Sequence, residues 1–210
     1  MKSYIKLNII PIIIELIFII SCLLINKEYI IYTNFLFYFI LLIYFIIKKN
    51  ISIKKWIENL KSGKKFWKHV FISFLGLILA FLLTTILENK LSMLDSGMIK
   101  LKTDSWLKII IFTLSTIFLP AIVEETFFRK NMIIDKNKKV LIMSTLFSMF
   151  LFGLEHALSI WGIFLTMIWA LPLSISYIKT KNIYVPMTAH FIGNVLCNGI
   201  DIIFIMISML

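Results

Sequence analysis

Three charged residues lie within six positions on an otherwise apolar segment of the chain. Residues 109–123 carry no charge, and Glu124, Glu125 and Arg129 follow them directly. Arg129 is the only arginine among the 22 basic residues of the sequence. A charge inside a lipid-buried helix costs about 2.5–3.5 kcal/mol on insertion scales, so ionisable residues placed there mark a functional site by default.

The spacing of these charges assigns them different surroundings on a helix. Residues four apart share one face, whereas neighbours diverge by about 100°. Glu125 and Arg129 are four apart, which predicts an intrahelical ion pair. Glu124 then faces elsewhere without a local partner, and such a carboxylate is a candidate general base or acid. The alternative is that all three charges only join neighbouring helices.

Two of the three histidines also lie within apolar runs. Phe152 and His156 are four apart, as are His190 and Asn194, so each pair shares one helix face. An imidazole and an amide on one face can donate hydrogen bonds to a developing oxyanion. Asp201 falls on nearly the same face and extends it. The other polar residues within apolar runs include Glu15 and Glu155.

The composition is that of a membrane protein. Hydrophobic residues make up 60% of the 210 residues and charged residues only 16%, whereas a soluble domain is about half apolar and a quarter charged. Only helices and closed barrels satisfy the backbone in lipid, and these runs are too long and uniform for barrel strands. We therefore expect an all-α polytopic bundle. Its seven predicted spans are residues 8–26, 29–47, 66–87, 106–134, 140–158, 160–178 and 184–210.

The basic residues predict the orientation of this bundle. Seven spans place 17 of the 22 basic residues on one side, and cytoplasmic loops carry the excess of lysine and arginine. The N-terminus, with Lys2 and Lys6, is therefore expected to be cytoplasmic and the C-terminus external. The net charge of +11 serves topology rather than nucleic-acid binding, because the lysines lie between apolar runs. Residues 48–68 form either an amphipathic helix on the anionic inner leaflet or a solvated loop.

The N-terminal run also resembles a signal peptide, and Ser21-Cys22 resembles a lipoprotein cleavage site. A second apolar run begins near Tyr29, which favours an uncleaved first span. Cys22 and Cys197 each lie in an apolar run, so we expect neither a disulfide nor a thiolate metal site.

Three ordered motifs resemble those of the CPBP family, which comprises type II CAAX prenyl endopeptidases and bacterial bacteriocin-processing or Abi-like proteins. The resemblance covers about residues 106–200 and divides the chain into N-terminal spans with a basic cytoplasmic loop (1–105) and a protease-like core (106–210). The motif residues are Glu124, Glu125 and Arg129, then Phe152 and His156, then His190 and Asn194.

The resemblance implies an intramembrane endopeptidase in which Glu124 activates the attacking water with help from His156. It also implies that His190 and Asn194 stabilise the oxyanion. The residues that would support this site are Glu125, Arg129 and Phe152.

A metal ion is one open alternative for the mechanism. If zinc is bound, the candidate ligands are Glu124, His156 and His190. The chain lacks the HExxH motif of the common zinc proteases. We expect glutamate-based chemistry with no required cofactor.

The expected partners are a peptide or membrane-protein substrate and the lipid bilayer, without nucleic acid. The composition, rich in lysine and isoleucine, is typical of an AT-rich bacterial genome, where prenylated CAAX substrates are not expected. A bacteriocin or pheromone precursor, or another membrane peptide, is the expected substrate in the cell membrane. The alternative is a non-catalytic immunity or regulatory protein that binds a bacteriocin or a sensor kinase. A small transporter is disfavoured, because no paired broken helices suggest inverted repeats.

Overall fold

The computed structural model describes residues 2–209 and their side chains from Asn8 onward. The side chains of Lys2 and Lys6, which entered the orientation argument, and residue 210 of the last predicted span lie outside the described residues. The described part forms eight helices and no strand. They are α1 (Lys2–Leu24), α2 (Ile30–Ile47), α3 (Ile53–Leu60), α4 (Lys64–Lys90), α5 (Trp106–Asn131), α6 (Lys138–His156), α7 (Ile160–Thr180) and α8 (Tyr184–Ser208).

The helices confirm the predicted fold class, an all-α bundle of a multi-pass membrane protein. Six of them, α2 and α4 to α8, are long and apolar enough to cross a membrane. The fully described part of α1, Asn8–Leu24, is a shorter apolar helix. Many apolar side chains on the outside of the bundle are exposed, as expected of surfaces that contact lipid.

The basic segment between α2 and α4 contains the helix α3, which has no buried residue. Ser52 caps its N-terminus by accepting a hydrogen bond from the backbone N–H of Lys55 at 3.2 Å. The Trp56 indole donates to the Thr188 hydroxyl at 2.8 Å. This segment is therefore helical and attached to α8, rather than a loop without structure.

The helix α5 widens to π-helical geometry twice along its length. Its α-helical parts are Trp106–Thr113 and Leu119–Glu124, and its wider π-helical parts are Leu114–Phe118 and Glu125–Asn131. Pro120 has no N–H to donate, so carbonyl groups of the preceding turn need other donors. The Ser115 carbonyl accepts from the Asn34 side chain at 3.3 Å, and the Thr116 carbonyl accepts from the Asn198 side chain at 2.9 Å. These bonds join α2 and α8 to α5.

The helix α6 ends at His156, and α7 begins only four residues later. The connection pairs with the segment before α5: Ile99 N–H donates to the His156 carbonyl, and Leu158 N–H donates to the Gly97 carbonyl, both at 2.9 Å. A Cβ atom at Gly162 would lie 1.8 Å from the Ser96 carbonyl oxygen, so this approach requires glycine. His156 therefore lies at the end of a helix and not in the middle of a span.

The larger apolar core lies between α1, α2, α5 and α6. Its buried members are dominated by phenylalanine and include Phe18, Phe37, Phe45, Phe127, Phe128 and Phe152. Five of these aromatic residues come from α2, α5 or α6, and α5 and α6 also carry candidate site residues. Packing in this core thus fixes the orientation of the helix faces on which the polar residues lie.

Candidate active site

The four residues predicted to be catalytic lie on one cavity of about 590 Å³. Glu124 comes from α5, His156 from the end of α6, and His190 and Asn194 from α8. Asp201, which the sequence placed on the same face of α8, lines the same cavity. The structure therefore brings together four predicted catalytic side chains that are up to 70 positions apart in sequence.

Glu125 joins the first motif to the third. Its Oε2 lies 3.4 Å from Arg129 Nε, with both side chains fully buried. Its Oε1 lies 2.9 Å from His190 Nδ1. The ion pair expected from the four-residue spacing is present, and the second contact, to the histidine, was not predicted. One carboxylate thus positions both a buried cation and a cavity-lining imidazole.

Arg129 joins the first motif to the second. Its guanidinium carbon lies 4.7 Å from the centroid of the Phe152 ring, within the range of a cation–π interaction. The Phe152 ring stacks in turn on the His156 ring at 4.3 Å between centroids. Arg129 Nη2 also donates to the Ala170 carbonyl in α7 at 3.3 Å. The aromatic residue of the second motif therefore contacts both the arginine and the histidine.

Glu124 has a partner that the sequence did not predict. The Tyr38 hydroxyl of α2 donates to Glu124 Oε1 at 2.5 Å. Glu124 Oε2 accepts no hydrogen bond from the described residues and lies 3.9 Å from His190 Nε2.

Glu124 and Glu125 have different surroundings, since Glu124 lines the cavity and Glu125 pairs with Arg129, but both carboxylates reach His190. The two carboxylates approach opposite nitrogens of one imidazole, that of His190. Their other contacts differ, because Glu125 Oε2 pairs with Arg129 at 3.4 Å whereas Glu124 Oε1 accepts from Tyr38. Glu124 Oε2 pairs with no lysine or arginine among the described residues.

The partners of the two histidines indicate where each ring carries its proton. His156 Nδ1 lies 2.9 Å from the Phe152 carbonyl. A carbonyl oxygen only accepts, so Nδ1 is the donor and Nε2 of the neutral ring keeps its lone pair. His190 Nδ1 faces the Glu125 carboxylate, which likewise requires a donor there.

Tyr38 is the functional candidate that sequence reasoning missed. It lies 86 positions before Glu124, and it is one of seven tyrosines in the chain, without a motif spacing to single it out. Only the packing of α2 against α5 identifies it. A buried tyrosine in an apolar run needs a hydrogen-bond acceptor. This rule indicates that Tyr38 has a partner but does not identify that partner as Glu124.

The possible metal ligands do not form a metal site in this arrangement. Across residues 8–209, no group of three or more His, Cys, Asp or Glu side chains is placed to hold a metal ion. Glu124, His156 and His190 share the cavity, but their donor atoms are not arranged as one ligand set.

Comparison with known proteins agrees with the three motifs. Residues 106–196 match the family model described as type II CAAX prenyl endopeptidase Rce1-like. This segment contains all seven motif residues, and the resemblance stated from the sequence is confirmed over it. No curated protein and no solved structure matches the chain. The Rce1-like segment supports CAAX-type intramembrane protease activity in a multi-pass membrane protein.

Proposed function

We propose that the protein is an intramembrane endopeptidase that hydrolyses a membrane-associated peptide with a water molecule activated by Glu124. One observation carries this proposal. Glu124 is 1% exposed, and its Oε2 has no hydrogen bond on a cavity that His156, His190 and Asn194 also line. A buried carboxylate oxygen without a donor is costly, and a reactive water molecule would supply that donor.

The proposed attack uses the remaining free positions of the site. Glu124 Oε2 takes a proton from water while the water oxygen attacks the peptide carbonyl carbon. His156 Nε2, left as an acceptor by the Nδ1 contact, helps to orient this water. General-base catalysis of this kind contributes typically 10²- to 10⁴-fold.

The oxyanion that forms would face α8. The Asn194 amide lines the cavity one turn beyond His190. His190, whose Nδ1 is held by the Glu125 carboxylate at 2.9 Å, supplies a second donor from Nε2 when that nitrogen carries a proton. Donors fixed in advance in a site of low dielectric constant are an efficient way to stabilise such a charge.

We propose that this chemistry needs no metal ion. Glu124 and His156 already provide a proton acceptor and an orienting group, and Asn194 and His190 provide oxyanion donors. Cleavage by purified protein that persists after dialysis against a chelator would agree. Loss of cleavage that added zinc restores would contradict this part of the proposal.

We infer that the substrate is a bacteriocin or pheromone precursor, or another peptide of a bacterial cell membrane, cleaved in processing or in self-immunity. The cavity lies among helices that are apolar enough to span a membrane, so a peptide that already partitions into lipid reaches it most readily. The chemistry of the cavity does not require a prenyl group.

The deciding experiment compares wild type with Glu124→Gln. The peptide encoded beside this gene is followed by mass spectrometry in cells that carry either form. Purified protein is tested on two quenched fluorescent peptides in detergent, one a farnesylated CAAX sequence and the other an unprenylated apolar sequence. We expect cleavage by wild type and none by Glu124→Gln. If the biological phenotype survives Glu124→Gln unchanged, the non-catalytic binding protein becomes the better account.

A further inference from the structure

Two buried carboxyl groups close to Glu124 have no role in the chemistry described above. Glu15 of α1 is 1% exposed and Glu155 of α6 is 4% exposed. No oxygen of either carboxyl group has a hydrogen-bond partner within residues 8–209, and neither group forms an ion pair there. Ionisable side chains in such surroundings are expensive and are functional-site candidates by default.

Only one of these two carboxyl groups reaches the site. Glu155 lines the same cavity as Glu124 and immediately precedes His156, whereas Glu15 is not among the residues that line it. Glu155 is thus a buried, unpartnered acid directed into the space where a peptide bond would be cleaved. Glu15 serves as the matched comparison, because it shares the burial but not the position.

Tyr38 is hydrogen-bonded to Glu124 and lines the same cavity as Glu155. Its hydroxyl donates to Glu124 Oε1 at 2.5 Å. The tyrosine is itself 4% exposed, so bulk water does not compete for its hydroxyl. The ionisable groups close enough to Glu155 to influence its charge are Glu15 and Cys22 of α1, Tyr38 of α2, and Glu124 and Arg129 of α5.

The charges around Glu155 favour its protonated form. Arg129 is the one guanidinium near it, and Arg129 makes its ion pair with Glu125. Glu124 and Glu15 contribute only like charge. A carboxyl group with no partner cation and low exposure is cheaper to keep neutral than ionised. Glu155 therefore has the properties of a proton donor, and Glu124 those of a proton acceptor.

We propose that Glu155 is the acid that protonates the leaving amine nitrogen, and that Tyr38 returns protons to it from Glu124. This proposal rests on the proposed peptidase function. In this scheme Glu124 is the base and Glu155 is the acid. A single glutamate would otherwise have to perform both roles in succession.

The proton balance of this scheme closes without a co-reactant. Glu124 takes one proton from water as the new C–O bond forms. The C–N bond then breaks, and the nitrogen keeps the electron pair and receives the proton of Glu155. Glu124 gives its proton to the Tyr38 oxygen while the Tyr38 hydroxyl proton passes to Glu155 through water in the cavity that both residues line. Both carboxyl groups return to their starting forms, and the net reaction consumes one water molecule.

The test uses two substrates that differ only in the leaving group. One is the apolar quenched peptide, and the other is its depsipeptide, in which oxygen replaces the scissile N–H. An alkoxide is a better leaving group than an amide nitrogen and needs much less help from an acid. Glu155→Gln should lower kcat on the peptide by about 10²- to 10⁴-fold, with KM unchanged, and should spare most of the activity on the depsipeptide.

Glu15→Gln is the matched control and should cleave both substrates like wild type. Should Glu155→Gln fail to accumulate, Glu155→Asp retains a carboxyl group and should give an intermediate ratio of peptide to depsipeptide cleavage. Equal losses on both substrates, or no loss on the peptide, would overturn the role of Glu155. If wild type cleaves neither substrate, the peptidase function itself has failed, and if Glu124→Gln cleaves both, the role of Glu124 as the base has failed.

Discussion

Replacing Arg129 with alanine should strand a buried carboxylate. In the wild type, Arg129 is 0% exposed, pairs with Glu125 at 3.4 Å and lies over the Phe152 ring at 4.7 Å. The alanine variant keeps Glu125 buried and removes its cation. We therefore expect poor accumulation of the protein, because the helices around this carboxylate are held together by the lost contacts.

The magnitude follows from the burial of both partners. Removing one member of a buried ion pair costs roughly 3–5 kcal/mol, which lowers the folding equilibrium constant between about 10²- and 10⁴-fold. Arg129→Lys should fall between wild type and alanine. Lysine keeps the charge but lacks the planar group that contacts the Phe152 ring and the Ala170 carbonyl together.

The assay is equilibrium unfolding by a denaturing detergent in mixed micelles, followed by circular dichroism. Lys136→Ala, at an exposed position, is the control. A double-mutant cycle with Glu125→Gln isolates the pair, and the cost of Arg129→Ala should shrink by about 0.5–3 kcal/mol once the carboxylate is neutral. If the alanine variant is as stable as the control, or costs the same in both backgrounds, the buried pair does not hold this fold.

Three further predictions concern the scaffold around the site. Asn198→Ala should destabilise the protein by about 1–3 kcal/mol, because the Thr116 carbonyl loses its donor. The same detergent titration should show a smaller cost of Asn198→Ala in a Pro120→Ala background, where residue 120 has a backbone N–H. The Lys102 hydrogen bond to Glu28, at 2.7 Å, lowers the pKa of that exposed carboxyl. The small contribution of this bond to stability is present above the unfolded-state pKa of Glu28 and is lost as pH falls through the folded-state pKa. An NMR titration of Lys102→Met should show a Glu28 pKa higher than that of the wild type. A reporter fused after the C-terminus should read as external, and a cytoplasmic signal would contradict the orientation.

The local part of the site could be predicted from the sequence, since it depends on spacing within a helix. The Glu125–Arg129 pair followed from four-residue spacing, and Phe152 with His156 from the same rule. The long apolar runs likewise predicted the helices. These features require no knowledge of which helices are neighbours, because each is set by residues within one turn.

The long-range part of the site could not be predicted in this way. Tyr38 reaches Glu124 only because α2 packs against α5, and no periodicity within α2 marks it. The second partner of Glu125, His190, depends on the packing of α8. Glu124 also reaches this histidine only because of that packing.

The central claim is that two adjacent glutamates have different roles, with Glu124 performing chemistry and Glu125 holding the site together. It is tested by measuring thermal stability and peptide cleavage on the same preparations of Glu124→Gln and Glu125→Gln. Glutamine at 124 keeps the oxygen that accepts the Tyr38 hydrogen bond, so we expect wild-type stability with cleavage abolished. Glutamine at 125 weakens the contacts to Arg129 and His190 and should lower stability. Full cleavage by a stable Glu124→Gln protein would contradict the account.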